Sequence, residues 1–340
     1  MSKEKLNGLF SKVSAFAYGK RKILLVLLIV ILLAVPFMGF SNVVIRVLTS
    51  ICIYSTLALG LNIPTGYTGQ VSLGHSGFFA IGAYTAAILV SKAGLSFFIA
   101  LPIAAVIAGF AGLLLGMPSL RLSGSYLSIV TLGFAEIVRM VVQNWVSLTN
   151  GPMGIKNISR PVLFGLELTL KNGGMYYLML SILLLVSLVS YLVINSKIGR
   201  AFKSIKEDEL AATMMGIKTT NYKVLAFTLS AIISGMAGAF FAPFMRYIDP
   251  NSFTFDSSIL MLSIVILGGM GTMRGMYIGA ILLISFPEVL RFLEEYRFVV
   301  YGLILVIMMH FRPQGLLGWQ SRRPYQFPKG VDPSGIQGEL

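Results

Sequence analysis

The sequence predicts an all-α, polytopic transmembrane helical bundle of about ten spans, and three observations carry that expectation. Hydrophobic residues make up 56% of the chain and charged residues 12%, against roughly 45–50% and 25% in soluble domains. Apolar stretches such as 23–40 and 176–194 approach the roughly 20 residues with which a helix crosses a bilayer. The scarce charge is clustered: 27 Lys and Arg against 13 Asp and Glu give a net +14. These cations sit at the N-terminus, in one central insert and in the C-terminal tail, as positive-inside topology requires. Nucleic-acid binding is not expected, since no aromatic–basic patch lies outside the apolar spans.

Taken in order, residues 1–22 form a cytoplasmic N-terminal segment, and 23–40 a first span retained in the mature chain. Further spans are expected at 43–63, 71–91, 96–117, 126–146, 176–194, 222–245, 257–269, 276–288 and 299–310. A transmembrane domain over 23–311 and a cytoplasmic tail over 312–340 complete the chain. Ten crossings starting inside at Lys20, Arg21 and Lys22 place the insert at 197–222 on the inner side. Arg312, Arg322, Arg323 and Lys329 agree with an inner C-terminus. Cys52 is the only cysteine and there are two histidines, so no intrachain disulfide is possible. No nucleophile–base pair or metal-ligand spacing emerges, and the chain is read as having no enzymatic activity and no metal of its own.

Two stripes of small residues read as packing devices. Gly112 and Gly116 share one helix face, and Gly271, Gly275 and Gly279 are expected to line another. In lipid, close backbone approach through glycine supplies dispersion contacts that the hydrophobic effect cannot.

The segment from Asn62 to Gly77 is punctuated by Pro64, Gly66, Gly69 and Gly74, and carries Asn62, Thr65, Gln70, Ser72, His75 and Ser76. Irregular polar backbone at membrane depth is tolerated only beside protein or a water-filled cavity. Either a broken helix lining a pathway or a tight turn with His75 satisfied by a neighbour fits this pattern. Glu136, midway along the fifth expected span, has Arg139 three positions on. A lone mid-bilayer carboxylate costs roughly 3 kcal/mol, so it pairs or faces water. A structural ion pair and a gating or proton-carrying role both remain open. Asn62, Gln70, Ser72, His75 and Glu136 are the candidate pathway residues.

The insert reads KIGRAFKSIKEDELAATMMGIKTTNYK. As one helix over 201–215 it places Phe202, Ile205, Ala212 and Met215 on an apolar stripe, with Gly216 as its stop. Such a helix fits a partner's groove, or else lies on the membrane surface. On the opposite side, 147–175 and 246–256 are candidate docking surfaces or plain connectors.

Within the insert, Glu209, Ala211, Ala212 and Gly216 resemble the Glu-Ala-Ala…Gly coupling loop of ATP-binding-cassette importer permeases, with Leu210 interposed. LNIPTGYTGQVSLGHSGFFAIGAYTAA, RLSGSYLSIVTLGFAEIVRMVVQNW, GPMGI, IVILGGMGTMRGMYIGA and FRPQGLLG follow the order seen in branched-chain amino-acid permeases. This resemblance, spanning 43–318, implies a permease subunit of an ATP-driven importer with the ten-helix fold of vitamin and ribose permeases. It implies two cytoplasmic ATPase subunits, a sister permease and an external substrate-binding protein, with Arg200, Glu209, Ala211, Ala212 and Gly216 in the coupling loop. ATP and Mg would be bound by the partners, consistent with the absence of a G-x-x-x-x-G-K-[ST] motif here. A urea permease of the same architecture and a proton-coupled transporter acting alone are the alternatives.

Overall fold

A computed structural model describes residues 41–119, 124–163, 165–289 and 315–318, together with Pro36, Gly302 and Val306. The expected spans 23–40 and 299–310 fall, but for those isolated positions, outside the described residues. The helices are α1 (Asn42–Asn62), extended by a π-helical turn Ile63–Tyr67, α2 (His75–Ser91), α3 (Phe97–Ser119) and α4 (Ser125–Asn144). After the four-residue α5 (Val146–Thr149) come α6 (Gly174–Asn195), α7 (Lys197–Glu207), α8 (Glu209–Met214) and α9 (Thr219–Met245). The last two are α10 (Phe255–Gly268) and α11 (Met273–Val289).

Among the described residues, six stretches are long and apolar enough to cross a membrane: Asn42–Tyr67, Phe97–Met117, Tyr126–Asn144, Gly174–Asn195, Thr219–Met245 and Pro250–Gly268. His75–Ser91 and Met273–Phe286 are shorter apolar helices. The expected span 71–91 is shorter than its apolar run because Val71–Gly74 stays non-helical. The expected short span at 257–269 gains length at its start, where the 3-10 turn Pro250–Phe253 leads into α10.

α9 is the axis of the bundle and packs against α3, α2 and α1. Small residues permit this. A Cβ on Gly82 would strike the Gly235 backbone, and one on Gly112 would strike the Ala231 side chain. The stripe expected at 271, 275 and 279 needs correction. Gly275 and Gly279 do face α10, where Gly275 and Gly268 meet backbone to backbone. Gly271 lies outside the helix, at φ +83° in the turn before α11, a conformation that glycine adopts without steric cost.

The expectation of helices alone also misses two small antiparallel ladders. β1 (Ile155–Lys156) pairs with β4 (Tyr247–Ile248), in register Ile155↔Ile248 and Lys156↔Tyr247. β2 (Val162–Leu163) pairs with β3 (Leu166–Glu167). The first ladder joins the two loop segments, 147–175 and 246–256, that the sequence singles out separately. Ile158 N–H adds a bond to the Arg246 carbonyl at 3.2 Å.

Candidate coupling loop and polar joint

The polar segment after α1 folds inward. Asn62, Thr65, Thr68, Gln70, Ser72, His75 and Ser76 are all buried, and their hydrogen bonds explain how that is tolerated. Pro64 occupies the start of the π turn, and its carbonyl accepts from Gln70 N–H at 2.8 Å and from the Thr68 hydroxyl at 2.7 Å. Thr65 donates to the Gln70 carbonyl at 3.2 Å. Thus Gln70 is held by the turn itself.

Other bonds leave the segment for distant helices. Asn62 Oδ1 accepts from Gly271 N–H at 2.8 Å, and its Nδ2 donates to the Thr272 carbonyl at 3.3 Å. One carboxamide therefore clamps the α10–α11 turn. His75 Nε2 lies 2.5 Å from Ser230 Oγ on α9, and Ser230 donates to the Gly60 carbonyl at 2.7 Å. With the serine hydrogen committed there, Nε2 carries the ring proton and Nδ1 accepts from Ser72 at 3.2 Å. Ser76 and Ser258 join α2 to α10 at 2.8 Å, and Leu73 N–H reaches Thr131 Oγ1 of α4 at 3.0 Å. Of the five pathway candidates, Asn62, Gln70, Ser72 and His75 are thus buried along one polar joint, Ser72 bonded to His75 while Asn62 and Gln70 hold partners of their own. Glu136 stands apart on α4, paired in two-pronged fashion with Arg139, which also reaches Gln143 at 3.4 Å.

The charged insert departs from a single helix. α7 starts at Ser196, whose Oγ accepts from Ile198 N–H at 3.1 Å, and it ends at Asp208. There the chain is extended (φ −157°, ψ 113°), and the Asp208 carboxylate caps α8 through Ala211 N–H at 3.0 Å. Aspartate at an N-cap satisfies an orphan amide and favours a restart over a continuous helix. The predicted apolar stripe holds for Phe202, Ile205 and Ala212, which are buried, with Phe202 edge-on to Tyr222 at 6.3 Å. It fails for Met215, which is 83% exposed. Beyond the helix break Ala212 stays packed while Met215 turns outward.

Leu210 and Met214 are likewise 68% and 77% exposed. Arg200 and Ala211 are exposed, Ala212 is not, and Gly216 closes the loop at φ +83°. Glu209 forms an ion pair with Lys223 at the start of α9. Lys206 Nζ donates to the Gly66 carbonyl in the π turn at 2.8 Å. This contact, 140 positions apart in sequence, ties the loop directly to the polar joint and was not legible from spacing. Nor was Ser230, a serine inside an apolar run with no local signal of its histidine partner.

Comparison with known proteins shows the family. The profile of one family, described as "Branched-chain amino acid transport system / permease component", matches residues 43–309. The chain is 43% identical over 320 residues to the high-affinity branched-chain amino acid transport system permease protein LivM of Escherichia coli (strain K12), covering 88% of this chain and 75% of that protein. The LivM of Salmonella typhimurium (strain LT2) is 42% identical over the same shares. The E. coli permease protein LivH is more distant, 24% identical over 286 residues, covering 78% of this chain and 91% of LivH. No solved structure matches. The chain belongs to the family of branched-chain amino acid transport system permease components.

Proposed function

We propose that this chain is the permease subunit of an ATP-driven importer that moves branched-chain amino acids by alternating access. Two cytoplasmic ATPase subunits bind ATP and Mg and dock on α7–α8; a sister permease completes the pathway; an external binding protein delivers the amino acid. The chain crosses the plasma membrane about ten times, with both termini inside, in the ten-helix importer fold.

The supporting observation is α8. Leu210 and Met214 on this six-residue helix, and Met215 at its C-cap, stand exposed, while Phe202, Ile205 and Ala212 of the same insert are buried. Large apolar side chains presented to water on a fixed support suit a partner's groove, and their alternating burial and release suits a cyclic motor. Force on the α7–α8 loop has two routes inward: Glu209–Lys223 from α8 into α9, and Lys206–Gly66 from α7 into the π turn. Asn62, Gln70, Ser72 and His75 serve as the joint that takes up this motion, whereas Glu136 is kept as a lining residue.

The test is Leu210→Asp combined with Met214→Asp. It should abolish ATPase co-purification and leucine uptake while leaving membrane insertion intact. Ala212 is the wrong probe for docking because it is buried. Normal uptake by the double variant, or uphill transport by the purified chain alone, would refute the proposal.

A further inference from the structure

α4 is the least buried of the long apolar helices: 22% of its apolar window lies inside the chain, against 61% for α9. It nevertheless carries Glu136 and Arg139, whose side chains stay partly open. An ion pair at this depth is retained where water or protein meets it, not hydrocarbon. Ile129, Gly133, Glu136, Met140 and Gln143 follow one another in steps of four and three, and so share one strip of the helix. Ile129 and Met140 are exposed, and a Cβ built on Gly133 would meet nothing within 4 Å. Arg139 lies beside it, in the row Gly133, Glu136, Arg139 at steps of three, so a cation and an anion adjoin an open notch flanked by exposed aliphatic side chains.

The geometry points to a subsite on this strip for a zwitterionic α-amino acid with an aliphatic side chain. Its carboxylate takes the Arg139 guanidinium, its ammonium takes the Glu136 carboxylate, and its side chain enters the Gly133 notch. The intrahelical pair opens into two pairs with the solute, so neither helix charge is ever left uncompensated. Closing again expels the solute, as a transport path requires. A neutral solute such as urea supplies neither charge and leaves the pair shut. This inference rests on the transport function proposed above.

The experiment uses the complete transporter in proteoliposomes, with leucine as probe. Glu136→Gln with Arg139→Gln keeps two groups able to hydrogen-bond each other but removes both charges. It should lower leucine uptake at least about tenfold, the factor expected on losing one charge-assisted hydrogen bond, with the complex still co-purifying. Glu136→Arg with Arg139→Glu keeps an ion pair but turns the solute's side chain away from the notch, and should lose a similar factor. Gly133→Leu, built into open space, should block uptake with the pair intact. Wild-type uptake by the neutral or the reversed pair would make the pair purely structural and overturn the subsite, as would wild-type uptake by Gly133→Leu. Failure of the unsubstituted complex to take up leucine would instead remove the transport function itself.

Discussion

Two regions of this molecule invert the usual arrangement of a protein in opposite senses. Between Asn62 and Ser76, seven polar side chains are buried; on α8 and its C-cap, three large apolar ones are left in the open. The first inversion is resolved within the chain, because the buried groups find partners on α9, α10 and the α10–α11 turn. The second is resolved by nothing among the described residues. An inward polar cluster with its bonds made is a joint, and an outward apolar cluster with none is an invitation to another protein.

Substitutions that damage stability in one region and spare it in the other would sharpen this contrast. The largest expected effect is at Gly66, where any side chain would run into the Asn62 carboxamide and Gly271 N. Gly66→Val should leave little folded protein on size-exclusion chromatography. Ser230→Ala comes next. It strands His75 Nε2 and takes from the Gly60 carbonyl one of its two donors, the Ile63 N–H remaining, at a cost of about 1–3 kcal/mol, seen as a lowered melting temperature in detergent. Lys206→Met removes a single half-exposed bond and should cost about 1 kcal/mol. It should also lower leucine uptake per ATP hydrolysed in the complete transporter. Smallest of all, Leu210→Ser with Met214→Ser should move stability by less than about 0.5 kcal/mol, as surface changes do, yet weaken ATPase co-purification. Equal melting losses from Ser230→Ala and the α8 pair would break the contrast.

Much of the fold was legible because apolar run length is a local property. Eight expected spans have helices in place, displaced by a few residues where Pro250 or Gly74 alters the ends. The Glu136–Arg139 pair was legible for the same reason, since three positions on a helix put two groups side by side. What spacing could not supply was partnership across the chain: His75 with Ser230, Asn62 with Gly271, Lys206 with Gly66. The break between α7 and α8 did have a signal. Asp208 followed by Glu209, Leu210 and Ala211 reads as an N-cap in mid-helix, overridden by the apolar periodicity on either side. Met215 was misplaced as a result.

The β1–β4 ladder has a mechanical meaning beyond its two residue pairs. It fastens the loop that follows α4, the least buried of the long helices, to the end of α9, one of the two most buried, at the end of α9 away from the charged insert. A displacement entering α9 at Lys223 therefore arrives at its other extremity already yoked to the helix that bears Glu136, and the two should tilt as a braced frame instead of as independent levers.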